Sequence, residues 1–471
     1  MMHSTREGAA SSVNIALISA IVAVATIGGL LFGYDSGAVN GTQGGLTAEF
    51  GLSEAALGFT VGSLLIGCAV GAFLAGRLAD AMGRRKVMLV AAMLFLVGAL
   101  VQGFTGSHTI FVLARFAGGM AVGAASVLSP LYISEVAPAN IRGRLTTVQQ
   151  VMIITGLTAA FVVNYFLAQS AGDSLAQIGG REAWRWMYLA QAVPATVFLI
   201  ALLFIPESPR YLVSRGRTEE ATMVLTRLFG AAEAKRKVVE IIGSFDADHK
   251  PSLKDVMGGR FGFRPIVWAG IMLATFQQFV GINIIFYYGE TLWRLAGVSE
   301  EVALERNIFS GLASILAVLA ALALIDRIGR KPLLMIGSAG MAVTLGAMTW
   351  AFSGAGTDAA GNLMLSETAG YTALIAANLY VIFFNFSWGP VMWVMLGEMF
   401  PNQMRGSALA VAGLAQWGAN YLVVQSFPSM ASGLGLAGTY ATYTVAAVIS
   451  WFLVKSLIQE TKGKELEDMV G

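Results

Sequence analysis

Charge is scarce in this chain. Only 12% of its 471 residues are Asp, Glu, Lys or Arg, whereas 56% are hydrophobic. Soluble domains carry about twice that share of charge. Length alone would allow two or three soluble domains, but this composition implies a polytopic membrane protein. There is one cysteine, Cys68, within an apolar stretch, which excludes an internal disulfide and a CxxC metal site. The three histidines are His3, His108 and His249, and none falls in the middle of an apolar run. No Walker motif is present, and the glycine-rich "GGLLFG" and "GGMAVG" lie inside apolar runs, where they would not cradle phosphate. A net charge of +2, with no dense basic run outside one loop, gives no footing for nucleic acid. The expectation is a protein that is not an enzyme and needs no metal or cofactor.

Long apolar runs are abundant. A helix needs about 20 apolar residues to cross a bilayer. Twelve such runs fall near 15–38, 56–77, 87–105, 109–133, 145–169, 186–206, 265–290, 307–325, 332–352, 370–397, 406–427 and 434–457. The flanks of the first fit a retained span better than a signal peptide, since the segment before it offers only Arg6. With both termini assigned to the cytoplasm, inner segments hold 25 Lys and Arg against 4 outside, Arg181, Arg185, Arg294 and Arg306. That bias obeys the positive-inside rule. It sets the expected organisation: tail 1–14, six spans 15–206, cytoplasmic linker 207–264, six spans 265–458, tail 459–471. In the linker, "TEEATMVLTRLF" reads as a helix capped by Thr218, with Leu225, Leu228 and Phe229 on one face, and 246–252 reads as a turn.

The two halves repeat each other. "GRLADAMGRRK" follows span 2 and "LIDRIGRK" follows span 8, whereas "SEVAPANIRG" follows span 4 and "GEMFPNQMRG" follows span 10. Lysines and arginines that merely flank spans would not explain acids recurring beside them. The pattern predicts a gate at Asp80, Arg84, Glu135, Arg142, Asp326, Arg330, Glu398 and Arg405, locking neighbouring helices while the inner side is closed. Duplicated six-span halves are how major facilitator carriers are built. The predicted fold class is therefore all-α, with twelve transmembrane helices in two pseudo-symmetric six-helix bundles.

"GYDSG", "GRLADAMGRRK", "LYISEVAPANIRG", "PESPRYL", "QQFVGINIIFYY", "DRIGRK", "GEMFPNQMRG" and "AQWGANY" occur in that order over roughly 20–460. Together they resemble the sugar porter family of the major facilitator superfamily, and the chain is most similar to its bacterial proton-coupled symporters of xylose, glucose or galactose type. "PESPR" and "QQFVGIN" narrow the resemblance to sugar porters. It implies sugar contacts at Gln150, Gln277, Gln278, Asn283, Trp393, Gln416 and Trp417. Short loops and a compact tail suggest a bacterial inner membrane, function as a monomer is expected, and Glu207 and Arg210 are counted with the gate.

The residues support a neutral, hydroxyl-rich ligand independently. Amides offer donors and acceptors to a sugar's rim, and aromatic rings suit its C–H faces. Gln150, Gln277, Gln278, Asn283, Asn385, Gln416 and Asn420 lie in four spans, and Phe32, Tyr287, Trp393 and Trp417 could supply rings. Any one amide could instead tie helices together. On a straight helix Gln277, Gln278 and Asn283 would point near 0°, about 100° and about 240°, so they need a break, which Gly281 offers. Trp293 reads as an interface-belt residue.

Asp35 closes an uncharged run, and Arg115 is the only arginine inside a span; both lie toward the outer side. An intramembrane charge needs a partner or a role. A guanidinium neighbour favours the ionised carboxylate and desolvation favours the neutral acid, so the pair can be poised to take a proton. The resemblance adds that an aspartate here accompanies proton coupling. Three alternatives stay open: a facilitative uniporter with a permanent ion pair, an inositol-type polyol carrier, and a non-transporting sugar sensor.

Overall fold

The computed structural model describes residues 13–138, 142–247, 253–258, 262–357, 363–401 and 404–462. Among them, twelve helices are long and apolar enough to cross a membrane. They are Ile15–Asn40, Glu54–Met82, Arg84–Phe104, His108–Val136, Thr147–Ala171, Ala183–Leu202, Pro265–Leu295, Glu300–Ile328, Arg330–Ser353, Glu367–Met399, Arg405–Gly433 and Gly435–Leu457, here spans 1–12. Twelve crossings return the chain to the face on which it started, called below the terminal face; the other is the far face.

Local signals start and stop these helices. Asn14, Ser53, Ser299 and Ser366 each accept from a backbone N–H in the first turn of spans 1, 2, 8 and 10. Spans 2 and 3 are separated by Gly83 alone, at φ 100°, and spans 8 and 9 by Gly329 alone, at φ 102°. Only glycine adopts that backbone readily, which makes each reversal a one-residue hinge. Spans 7 and 10 are broken, at Gly281 and near Ser387.

Packing follows from small residues. A Cβ at Gly33 would sit 1.7 Å from the Ile153 carbonyl oxygen, and one at Gly156 would sit 2.0 Å from that of Leu30. Spans 1 and 5 therefore touch backbone to backbone, as membrane helices do when small residues face each other.

In the first half span 1 packs on span 5 and span 2 on span 4; in the second, span 7 packs on span 11 and span 8 on span 10. Between the halves, span 2 meets span 11, span 5 meets span 8, and span 1 meets span 7. A pseudo-two-fold axis that sends each span n to n + 6 maps the first of these contacts onto the second and the third onto itself. The two-bundle arrangement predicted from the repeat is what the contacts build.

The linker forms helices Pro209–Ser214, Thr218–Phe229, Ala231–Ala247 and Leu253–Val256. Leu225, Leu228 and Phe229 are buried as their spacing predicts. Two local expectations fail. Thr218 is the first helical residue and makes no cap, because Arg217 occupies the cap position. The expected turn at 246–252 does not include Asp246 and Ala247, which close the helix; residues 248–252 lie outside the described residues.

Candidate functional site

The break in span 7 gathers the amides. Its first helix ends at Phe279 and its second begins at Ile282, with Gly281 at φ 82° between them. Asn283 Nδ2 then donates to Gln278 Oε1 and to Asn420 Oδ1 of span 11, both at 2.7 Å. Gln278 Nε2 donates to Gln277 Oε1 at 3.0 Å, and Gln277 Nε2 donates to the Trp388 carbonyl at 3.1 Å. Gln416 Nε2 reaches Gln277 Oε1 at 3.5 Å, and Gln416 Oε1 has no protein partner among the described residues. Three predicted amides of span 7 thus converge with two of span 11. The network leaves one buried acceptor, Gln416 Oε1, unpaired among the described residues.

Aromatic rings flank it. The Phe32 and Trp417 rings meet edge to face with centroids 5.7 Å apart, joining span 1 to span 11. The Tyr287 hydroxyl accepts from Ser36 Oγ at 3.1 Å. Trp393 and Gln150 stand apart: Trp393 is 41% exposed and Gln150 half-buried, and among the described residues no hydrogen bond or ring contact ties either to the network. Trp388 is the buried tryptophan of "WGPVMW"; its indole N–H donates to the Leu334 carbonyl at 3.1 Å and to Ser338 Oγ at 3.0 Å. Trp293 is not an interface residue, because it is 2% exposed and Arg306 stacks on its ring at 4.8 Å. Asn385 donates to Ser314 Oγ at 3.2 Å and serves as a tie between spans 10 and 8.

Asp35 and Arg115 meet. Arg115 Nη2 lies 3.4 Å from Asp35 Oδ2, with side-chain exposures of 0% and 1%. The guanidinium also donates to the Val61 carbonyl at 3.3 Å and to Gln102 Oε1 at 3.4 Å, and faces the Tyr188 ring at 6.0 Å. Arg115 Nε and both amide atoms of buried Gln191 lack partners among the described residues. The pair is dry and long, and Gln191 is close enough to Asp35 to act on its charge. Asp35 is not alone as a buried carboxylate in the spans, although the second one has a half-exposed partner. Glu290, 4% exposed near the far end of span 7, pairs with Arg294 at 3.3 Å.

The repeated phrases build two matching clusters on the terminal face. Arg84 pairs with Asp80 at 3.0 Å and Glu135 at 2.9 Å, and Arg330 with Asp326 at 3.0 Å and Glu398 at 2.9 Å. A second acid completes each cluster. Glu207 Oε1 accepts the backbone N–H of Arg84 and Arg85 at 2.9 and 3.2 Å. Glu460 does the same for Arg330 and Lys331 at 3.0 and 2.9 Å. Glu460 was not predicted; its signal is an acid soon after the last span of its half, as Glu207 follows span 6. Arg405 donates to the Phe400 carbonyl at 3.2 and 3.1 Å. Arg210 is close enough to Glu135 to act on its charge. The side chain of Arg142 lies outside the described residues. These pairs join helices within one bundle.

Hydrogen bonds between the bundles knit the far half. Asn40 donates to the Phe286 carbonyl, Gln43 to the Tyr287 carbonyl, and Gln425 to the Ala55 carbonyl, while Glu300 accepts from the Ser174 N–H. The far side of the molecule is closed.

Fold and site together define a twelve-span carrier with a polar centre between two related bundles. A family model described as "Sugar (and other) transporter" matches residues 21–470. The chain belongs to that family. It is 43% identical to a glucose transport protein of Synechocystis sp., over 99% of this chain and 100% of that one. It is 39% identical to the D-xylose-proton symporter of Escherichia coli, over 97% and 96%. Among solved structures, the inward-open conformation of the E. coli xylose transporter XylE superposes with a TM-score of 0.81 at 37% identity, covering 96% of this chain and 99% of that one. XylE bound to 6-bromo-6-deoxy-D-glucose gives 0.78.

Proposed function

We propose that this chain takes up a monosaccharide together with a proton by alternating access, as a monomer in a bacterial inner membrane with both termini cytoplasmic. The observation that carries the reading is a fully buried carboxylate–guanidinium couple whose carboxylate shares a helix with Phe32, three residues away, the ring that meets Trp417 next to Gln416 in span 11. Names of relatives point the same way, including D-xylose-proton and arabinose-proton symporters. The 25-to-4 distribution of Lys and Arg supports the orientation.

In this reading opening toward the outside wets the couple and Asp35 takes a proton. Neutral Asp35 releases Arg115, and the carrier turns inward with sugar held by Gln277, Gln278, Asn283, Gln416 and Trp417, joined by Phe32, Tyr287, Gln150 and Trp393. Opening inward loosens the terminal-face clusters. The uniporter reading has one observation in its favour, that the couple is wholly buried and so compatible with a permanent tie. A panel of labelled sugars in transport-null cells, with and without an uncoupler, decides between them. Symport requires sugar-induced alkalinisation of a weakly buffered medium and loss of accumulation with the uncoupler. Rapid uptake with neither would refute proton coupling, and uptake of inositol alone would replace the sugar.

A further inference from the structure

The second helix of span 7 has one non-helical residue, Tyr288, at φ −116° and ψ 15°. A regular turn would join the Glu290 N–H to the Phe286 carbonyl, four residues back. At this kink both groups are held by one side chain from the other bundle. Asn40 Oδ1 accepts the Glu290 N–H at 3.1 Å, and Asn40 Nδ2 donates to the Phe286 carbonyl at 2.9 Å and to that of Ile285 at 3.3 Å. Gln43, three residues on, adds a hold on one backbone group and one side chain of the same turn: it donates to the Tyr287 carbonyl and accepts from the Thr291 hydroxyl at 2.7 Å. Asn307 Nδ2 of span 8 donates to Asn40 Oδ1 at 2.7 Å. Asn40 is 0% exposed and Gln43 1%. Space for the carboxamides comes from Gly289, where a Cβ would meet Asn307 Oδ1 at 2.5 Å and Asn40 Nδ2 at 2.9 Å.

We propose that Asn40 and Gln43 are a backbone-exchange latch. They supply hydrogen bonds to the kinked turn of span 7 only while the far side is closed, and that turn resumes its own i→i−4 bonds when span 1 withdraws. Peptide groups left unpaired within the membrane are strongly disfavoured, so a gate that opens there must re-pair what it releases. An asparagine inserted between a helix N–H and its own carbonyl partner meets that condition. Each state keeps its backbone satisfied, and the two differ little in energy. The inference rests on alternating access but not on which solute or ion moves.

The test is electron-spin distance measurement on the full chain without sugar. Spin labels go on exposed far-face positions Leu175 and Leu434, each changed to cysteine in a Cys68→Ser background. Wild type should give mainly the short distance. Asn40→Ala removes the inserted amide, and Gly289→Ala drives a methyl into its place. Both should raise the long-distance, far-open population about tenfold, as the loss of two or three hydrogen bonds in one state requires. Gln43→Met, a milder change, should shift it the same way and substitutes if Asn40→Ala does not fold. Folded variants with wild-type distance distributions would overturn the latch. Because no sugar is present, that failure leaves the transport reading standing, and a protein inactive toward every sugar tested would leave the latch standing.

Discussion

Replacing Asp35 by asparagine separates coupling from movement. The substitution keeps an oxygen for Arg115 Nη2, 3.4 Å away, but removes the charge that Arg115 meets there, its one ion-pair partner among the described residues. Breaking a buried ion pair on one side costs about 3–5 kcal/mol. Some of that is spared, because Arg115 keeps the Val61 carbonyl and Gln102 Oε1. The variant should therefore fold with a lowered Tm. Its transport should change in kind. One proton per sugar carries one charge down the membrane potential, about 2.3 kcal/mol per 100 mV, and each factor of ten in concentration takes about 1.4 kcal/mol. At equal pH on both sides, wild type in vesicles can thus concentrate sugar about 50-fold per 100 mV, inside negative. Asp35→Asn should equilibrate at an inside-to-outside ratio of about 1 whatever the potential, while exchange of labelled for unlabelled sugar continues. Accumulation by the variant under an imposed potential would refute Asp35 as the proton carrier. Loss of exchange together with accumulation, in a folded variant, would make the couple structural.

Three further outcomes follow from the geometry. Gly33→Ala should prevent stable assembly, seen as aggregation on size exclusion, because its methyl would lie 1.7 Å from the Ile153 carbonyl and both partners are backbone. Gln278→Leu leaves the Asn283 amide with one partner fewer and should raise the KM for sugar by about tenfold or more while leaving the far-face distance distribution unchanged. Burial works to raise the Glu460 carboxyl, but backbone N–H groups of Lys462, Arg330, Lys331 and Thr461 outweigh it and hold the group below the usual carboxylate range. Its contribution to stability is then complete above the ordinary glutamate value of about 4.3 and is lost as pH falls through the lowered one. Glu460→Gln should lower Tm at pH 7, with the gap from wild type closing in acid.

Features that recur along the chain were readable from sequence, and features that depend on which way a side chain turns were not. The twelve spans, the two-bundle plan, the break at Gly281 and the Asp35–Arg115 meeting all follow from patterns of apolar length, repetition and isolated charge. Trp393 and Trp388 sit five residues apart in one short helix, about 140° round it, and composition does not say which of the two faces the core: Trp388 is wholly buried and Trp393 exposed. Trp293 looked like a belt residue because it lies near a span end; a cation from the neighbouring span covers it. Asn40 and Gln43 escaped notice because a polar residue at the end of a span is unremarkable in composition. Their significance lies in the backbone they reach, some 245 residues further along the chain.

Span 1 emerges as the element through which the sites communicate. Phe32, Ser36 and Asn40 are four residues apart and so drift only about 40° per step around the helix. All three face the second bundle: Phe32 meets Trp417, Ser36 meets the Tyr287 hydroxyl, and Asn40 meets the kinked turn of span 7. Asp35 lies about 100° round from Ser36 and faces Arg115 in its own bundle. One rigid helix therefore carries the proposed proton site on one side and, on the other, a contact with the binding centre and the far-side latch. In the proposed cycle, protonation of Asp35 would release Arg115 on one side of span 1, and the three contacts on its other face are the ones through which the binding centre and the latch would respond.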